Sequence, residues 1–61
     1  MNHTEHAYIE QGRRYELAPT VDAARAAAER LRAMLSSENP KDVTEARALI
    51  ERGRAEARAR A

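Results

Sequence analysis

The sequence predicts a mainly α-helical protein, an antiparallel helical hairpin (about 21–35 and 40–58) preceded by a short N-terminal β-hairpin (about 7–17). Three observations predict it. Two segments repeat apolar residues at spacings of three and four. Each of those segments opens on residues suited to start a helix. The stretch before them, AYIEQGRRYEL, centres on a Gln-Gly pair and holds both tyrosines of a chain without Phe or Trp.

Gln11 and Gly12 form the two-residue turn of the predicted β-hairpin, because Gly admits the positive φ that such turns use. In that register Tyr8 faces Tyr15 across the strands, and His6, Tyr8, Tyr15 and Leu17 share one face. A competing reading is a short helix from Glu5 to Gln11, capped by Thr4 and stopped by Gly12. The junction GRRYELAPTVDAA is similar in outline to the strand-to-helix junction of the phage head-to-tail joining protein W family. The likeness covers less than a third of the chain and implies no function for it.

The first long helix is predicted from about Val21 to Leu35. Thr20 supplies the capping hydroxyl, Asp22 sits in the first turn, and Arg30 and Arg32 lie near the end, where cations suit the helix dipole. Val21, Ala24, Ala28, Leu31 and Leu35 form its apolar seam, widened by Ala27 and Met34. Asn39 and Pro40 open the second, since proline fits a first helical position that needs no N–H. Its seam is Val43, Ala46, Ile50, Gly53 and Ala57, flanked by Leu49. The joint at about Ser36 to Glu38 is short enough to turn the two helices antiparallel. Gly53 costs the helix about 1 kcal/mol against Ala, yet on the seam it permits close approach of another backbone.

Sixty-one residues make one small domain, 1–61, with residues 1–5 expected to be disordered and 54–61 open to fraying. Eleven large apolar side chains beyond Met1 must build the core, beside fourteen alanines that each bury little. A core of this size rarely supplies more than about 3–5 kcal/mol unless a disulfide, a metal or self-association assists. With no cysteine, disulfides, thiolate metal sites and cysteine nucleophiles are excluded. Self-association is therefore the expected supplement, a homodimer burying Val21, Leu31, Leu35, Val43, Ile50 and Gly53.

The net charge of +1 implies no strongly electrostatic partner for the whole chain, and the basic end is the tail. Arg52, Arg54, Arg58 and Arg60 are the candidate phosphate contacts of an alternative reading, a nucleic-acid-binding accessory protein. No helix-turn-helix signature supports that alternative, and Glu51 and Glu56 dilute the cluster. His3 and His6 lack an evident third metal ligand. No phosphate loop or catalytic constellation is present, so no enzyme activity and no cofactor are expected. No run is long and apolar enough for a membrane span, and a cytoplasmic location follows as the default.

The function expected from the sequence is that of a small non-enzymatic interaction or regulatory protein, of the adaptor or inhibitor type that phages and bacterial plasmids encode. It would mask or bridge another protein. Tyr8, Arg13, Arg14 and Tyr15 are the candidate partner-binding residues, because exposed tyrosine flanked by arginine is the composition that interface hot spots favour. If Tyr8 and Tyr15 instead lie on the helices, they supply the bulk that the alanines cannot.

Overall fold

The computed structural model describes residues 1–60. It contains three helices, α1 (Glu5–Glu16), α2 (Val21–Ser36) and α3 (Pro40–Arg60), and no strand among the described residues. The sequence-predicted helices are present, α3 running to Arg60. Ala61, the end of the segment expected to fray, lies outside the described residues.

The predicted N-terminal β-hairpin is replaced by α1. Its start is the one the competing helical reading proposed: the Thr4 hydroxyl accepts a hydrogen bond from the Ala7 N–H at 3.0 Å, satisfying one of the donors that a helix start leaves open. Its end is not, because Gly12 does not stop it. Gly12 has negative φ, like every described residue, and the helix continues to Glu16. The Leu17 N–H then bonds back to the Arg13 carbonyl at 2.9 Å, and Pro19 prevents continuation. The resemblance in GRRYELAPTVDAA loses its basis too, since Gly12 to Glu16 is helix rather than strand.

The starts of the other two helices agree with the sequence, but α2 runs on to Ser36, which leaves Arg30 and Arg32 short of its last turn and that turn without a basic residue. The Thr20 hydroxyl accepts from the Ala23 N–H at 3.1 Å. Pro40 is the first residue of α3, and the Asn39 carbonyl accepts from Asp42 and Val43 at 2.9 and 3.1 Å. The longest dimension of the molecule, 31 Å, is the length of α3 at about 1.5 Å per residue.

The organising helix is α1, which packs against both α2 and α3, most extensively against α3. The contacts fix the directions. Tyr8 reaches Met34 near the end of α2, so α1 and α2 are antiparallel. The two helices cross where Gly12 meets Ile50 and Gly53 meets Ile9, and beyond that point Arg13 meets Glu56 and then Glu16 meets Arg58, so α1 and α3 run parallel. The buried seam of α3, Ala46, Ile50, Gly53 and Ala57, is the predicted one without Val43, but its principal partner is α1. On α2 the buried positions are Ala27, Leu31 and Met34, displaced round the helix from the predicted Ala24, Ala28 and Leu35. Val21 is 73% exposed.

The α1–α3 contact is a crossing without side chains. A Cβ added at Gly12 would overlap the carbonyl oxygen of Ile50, and one added at Gly53 would overlap that of Ile9. The glycine hydrogens occupy those positions instead, an arrangement suited to reciprocal Cα–H···O contacts. The reciprocity is written in the chain: Ile9-Glu10-Gln11-Gly12-Arg13 and Ile50-Glu51-Arg52-Gly53-Arg54 share four of five residues. Each glycine accepts the backbone that carries the isoleucine three residues before the other.

Around this crossing Tyr8, Leu31, Met34, Ala46 and Ile50 form the core, with Ala7, Tyr15, Leu35 and Leu49 packed against it. Tyr8 has no exposed surface, and its burial is the largest single apolar contribution among them. Gly12→Ala and Gly53→Ala separate the two roles that a helical glycine can have. Helix propensity alone predicts a gain of about 1 kcal/mol, whereas overlap with a backbone carbonyl predicts a loss of at least about 2 kcal/mol. Urea unfolding followed by circular dichroism is expected to show the loss in both variants.

Candidate functional site

Two surfaces of the domain are candidate sites. The first lies where the N-terminal residues cross the joint between α2 and α3. Tyr8 projects through the core, and its hydroxyl donates to the Glu38 carboxylate and approaches the Met34 carbonyl oxygen at 3.2 Å. The same carboxylate accepts the backbone N–H groups of Asn2 at 2.8 Å and His3 at 3.3 Å. The Asn2 amide bonds the Ser37 carbonyl, and the His3 ring stands edge-on to Tyr8 with centroids 5.8 Å apart.

Hydrogen bonding by Tyr8, then by Asn2 and His3, holds the Glu38 carboxyl below its ordinary range despite the opposing effect of burial. Burial, followed by the Glu38 contact, pushes the Tyr8 phenol above its ordinary value. At neutral pH the pair is therefore a phenol donating to a carboxylate. This is a structural clasp, and it places Tyr8 in the core.

The other candidate partner-binding residues separate along α1. Tyr15 is half-buried beneath the Arg54 guanidinium, 5.0 Å from its ring centroid, a cation–π geometry. Arg13 is tied to Glu10 at 2.9 Å and to Glu56 at 2.7 Å, and these bonds raise its pKa further, the Glu56 one most. Arg14 points outward with its side chain 70% exposed, and its ion pair is a loose 4.0 Å contact with Glu10.

The C-terminal arginines are drawn into the fold. Arg54 and Arg58 both reach Glu16, at 2.9 and 3.1 Å. Arg58 also meets Glu51 at 2.5 Å, and Arg52 meets Glu56 at 3.3 Å. Three of the four candidate phosphate contacts thus neutralise carboxylates on α1 and α3, and only Arg60 has no such pairing among the described residues. Of the candidate self-association residues, Leu31, Ile50 and Gly53 are buried within the chain, Leu35 and Val43 are half-buried, and Val21 is exposed. No group of three His, Cys, Asp or Glu side chains able to hold a metal occurs among the described residues.

The second surface is an open groove of about 680 Å³ between α1 and α2. Leu17, Ala18, Pro19, Ala23, Ala26 and Ala27 make its apolar lining. Arg13, Arg14 and Glu10 stand on the α1 wall and Arg30 on the α2 wall, and no α3 residue contributes. Leu17, 58% exposed, and Val21 flank the Pro19 turn at the same end of the molecule. Sequence reasoning missed Leu17, Ala23, Ala26 and Arg30 as site residues. The available signal was Tyr8 to Tyr15, a separation of seven that is two helical turns, and with it the alignment of Glu10, Arg14 and Leu17 on one helical stripe.

Comparison with known protein families, with curated proteins and with solved structures finds no match for this chain. No helix among the described residues is long and apolar enough to cross a membrane.

Replacing Tyr8 tests the clasp in two stages. Tyr8→Phe keeps the ring and loses the hydroxyl, for an expected cost of about 1–2 kcal/mol; Tyr8→Ala empties the site and is expected to cost about 3–5 kcal/mol, enough to unfold so small a domain. Acid has a related effect. Because the folded-state pKa of Glu38 is depressed, its contribution is fully present above the unfolded carboxylate value of about 4.3 and is lost as pH falls through the lower folded one. Between about pH 5 and 3, thermal melts of Glu38→Gln are expected to depend less steeply on pH than those of the parent chain.

Proposed function

We propose that this chain is a small, non-enzymatic binding protein of the adaptor or inhibitor type, acting by masking or bridging another protein through the α1–α2 groove. The observation that carries this reading is the groove itself: an apolar floor left open in a protein whose core can least spare apolar surface, with Arg14 exposed at its wall. Apolar centres rimmed by polar side chains are the usual anatomy of protein interfaces, and arginine is among the residues enriched there.

The nucleic-acid alternative would use Arg52, Arg54, Arg58 and Arg60. Three of these already face carboxylates, and breaking those pairs would set the cost of a phosphate contact against its gain. The homodimer reading would bring together seams whose central members, Leu31 and Ile50, are covered by the chain's own helices.

A photo-crosslinking residue at Leu17, in cells of the native host, tests the proposal, with the same residue at exposed Arg47 on α3 as the control. A discrete protein adduct from position 17 and none from position 47 is the expected outcome. Adducts from both positions alike, or from neither, would remove the reading.

A further inference from the structure

We infer that the groove receives an amphipathic helix whose apolar ridge is flanked by Asp and Glu, the helix of a different protein rather than a second copy of this chain. The inference rests on the reading of the groove as a protein-binding site and specifies its occupant. Three features carry it: the shape of the groove, the size of its lining residues and the sign of its rim.

The shape is that of a missing helix. Antiparallel α1 and α2 pack together, α3 lies on α1, and the groove between α1 and α2 receives nothing from α3. A trough between two antiparallel helices is where a bundle places a further helix. Its α1 wall, Glu10, Arg14 and Leu17, and its α2 wall, Ala23, Ala26 and Arg30, are rows at spacings of three and four, the rows between which the ridge of a third helix fits. From Glu10 to Leu17 the wall is about 10 Å long at the helical rise. That accommodates two turns of a partner, hence apolar anchors at i, i+3 or i+4, and i+7.

Apart from Leu17 and Pro19 the apolar lining consists of alanine methyl groups, so it supplies space rather than bulk. The bulk must come from the occupant, as Leu, Met or an aromatic residue. The rim then selects the flanks. Arg13 is held by Glu10 at 2.9 Å and by Glu56 at 2.7 Å, and Glu10 lies a loose 4.0 Å from Arg14, so Arg14 and Arg30 set the sign of the rim. Arg30 has no ion pair among the described residues. A second copy docking by two-fold symmetry would lay this patch on itself and set these arginines against their own kind. Carboxylates on a different chain complement them instead.

The chain contains no Trp, so a single Trp on a synthetic peptide reports binding by fluorescence. The probes are an amphipathic helical peptide of about 18 residues with Leu and Trp anchors and Glu flanks, and its counterpart with Lys in place of Glu. The expected result is binding of the acidic peptide, at least about tenfold tighter than the Lys peptide, with the Ala23, Ala26 and Ala27 methyl NMR signals shifted and those of Ala48 and Ala55 on α3 unmoved. The double variant Arg14→Glu and Arg30→Glu, both at exposed positions, is expected to reverse the preference. Equal affinity for both peptides, no binding of the acidic one, or shifts confined to α3 would overturn the inference. A partner captured from Leu17 in cells together with a failed peptide titration would refute the occupant while leaving the binding function in place.

Discussion

The structure depends on the crossing of α1 and α3 at Gly12 and Gly53. Two helices normally keep 8–10 Å between their axes because side chains stand between them. Here each glycine offers only a hydrogen to the opposing carbonyl oxygen of Ile9 or Ile50. Close approach makes buried contacts out of short side chains: Ala46 and Ala57 reach 0% and 1% exposure, which lets alanine contribute to a core otherwise short of bulk. Gly12 and Gly53 are thus used for what they lack, and the intrinsic helix cost of each, about 1 kcal/mol, is offset by packing.

Once α1 and α3 lie this close, their polar flanks are brought into register. Arg13 meets Glu56 while Arg54 and Arg58 meet Glu16, so two sets of ion pairs follow the crossing along both helices. Pairs this exposed contribute little individually, but they fix the order in which the two helices run. At the other end the Tyr8 hydroxyl, the Glu38 carboxylate and the N–H groups of Asn2 and His3 lock α1 to the α2–α3 joint. The buried phenol costs little to dehydrate because its donor is used.

The surface proposed for binding follows from the same geometry. With α3 committed to one side of α1, α2 is left to pack along another. The N-terminal half of α2, whose lining residues are alanines, cannot close the gap that remains. The apolar groove is therefore a consequence of concentrating bulk in Tyr8, Leu31, Met34 and Ile50 at the opposite end of the helix pair. Exposed Leu17 and Val21 mark the end that was left open.

The two long helices were legible in the chain because their signals are local: Thr20 and Asn39-Pro40 at the starts, and apolar spacing of three and four within. The seam of α3 was legible too, apart from Val43. The predicted hairpin failed because Gln11-Gly12 carries the local chemistry of a turn, while the reason for Gly12 lies far along the chain, at the Ile50 carbonyl of α3. The repeated Ile-Glu-x-Gly-Arg and the seven-residue spacing of the tyrosines were present in the sequence as evidence of a helix. Their meaning required a partner surface. By itself the sequence determined where α2 and α3 begin, which residues could form dry stripes, and that bulk would be scarce. Only the tertiary structure decided that Tyr8 is core, that the C-terminal arginines are bound to carboxylates of the fold, and that an apolar groove stays open between α1 and α2. Caps and periodicity act within a few residues, whereas the close approach of two backbones exists only when both helices are in place.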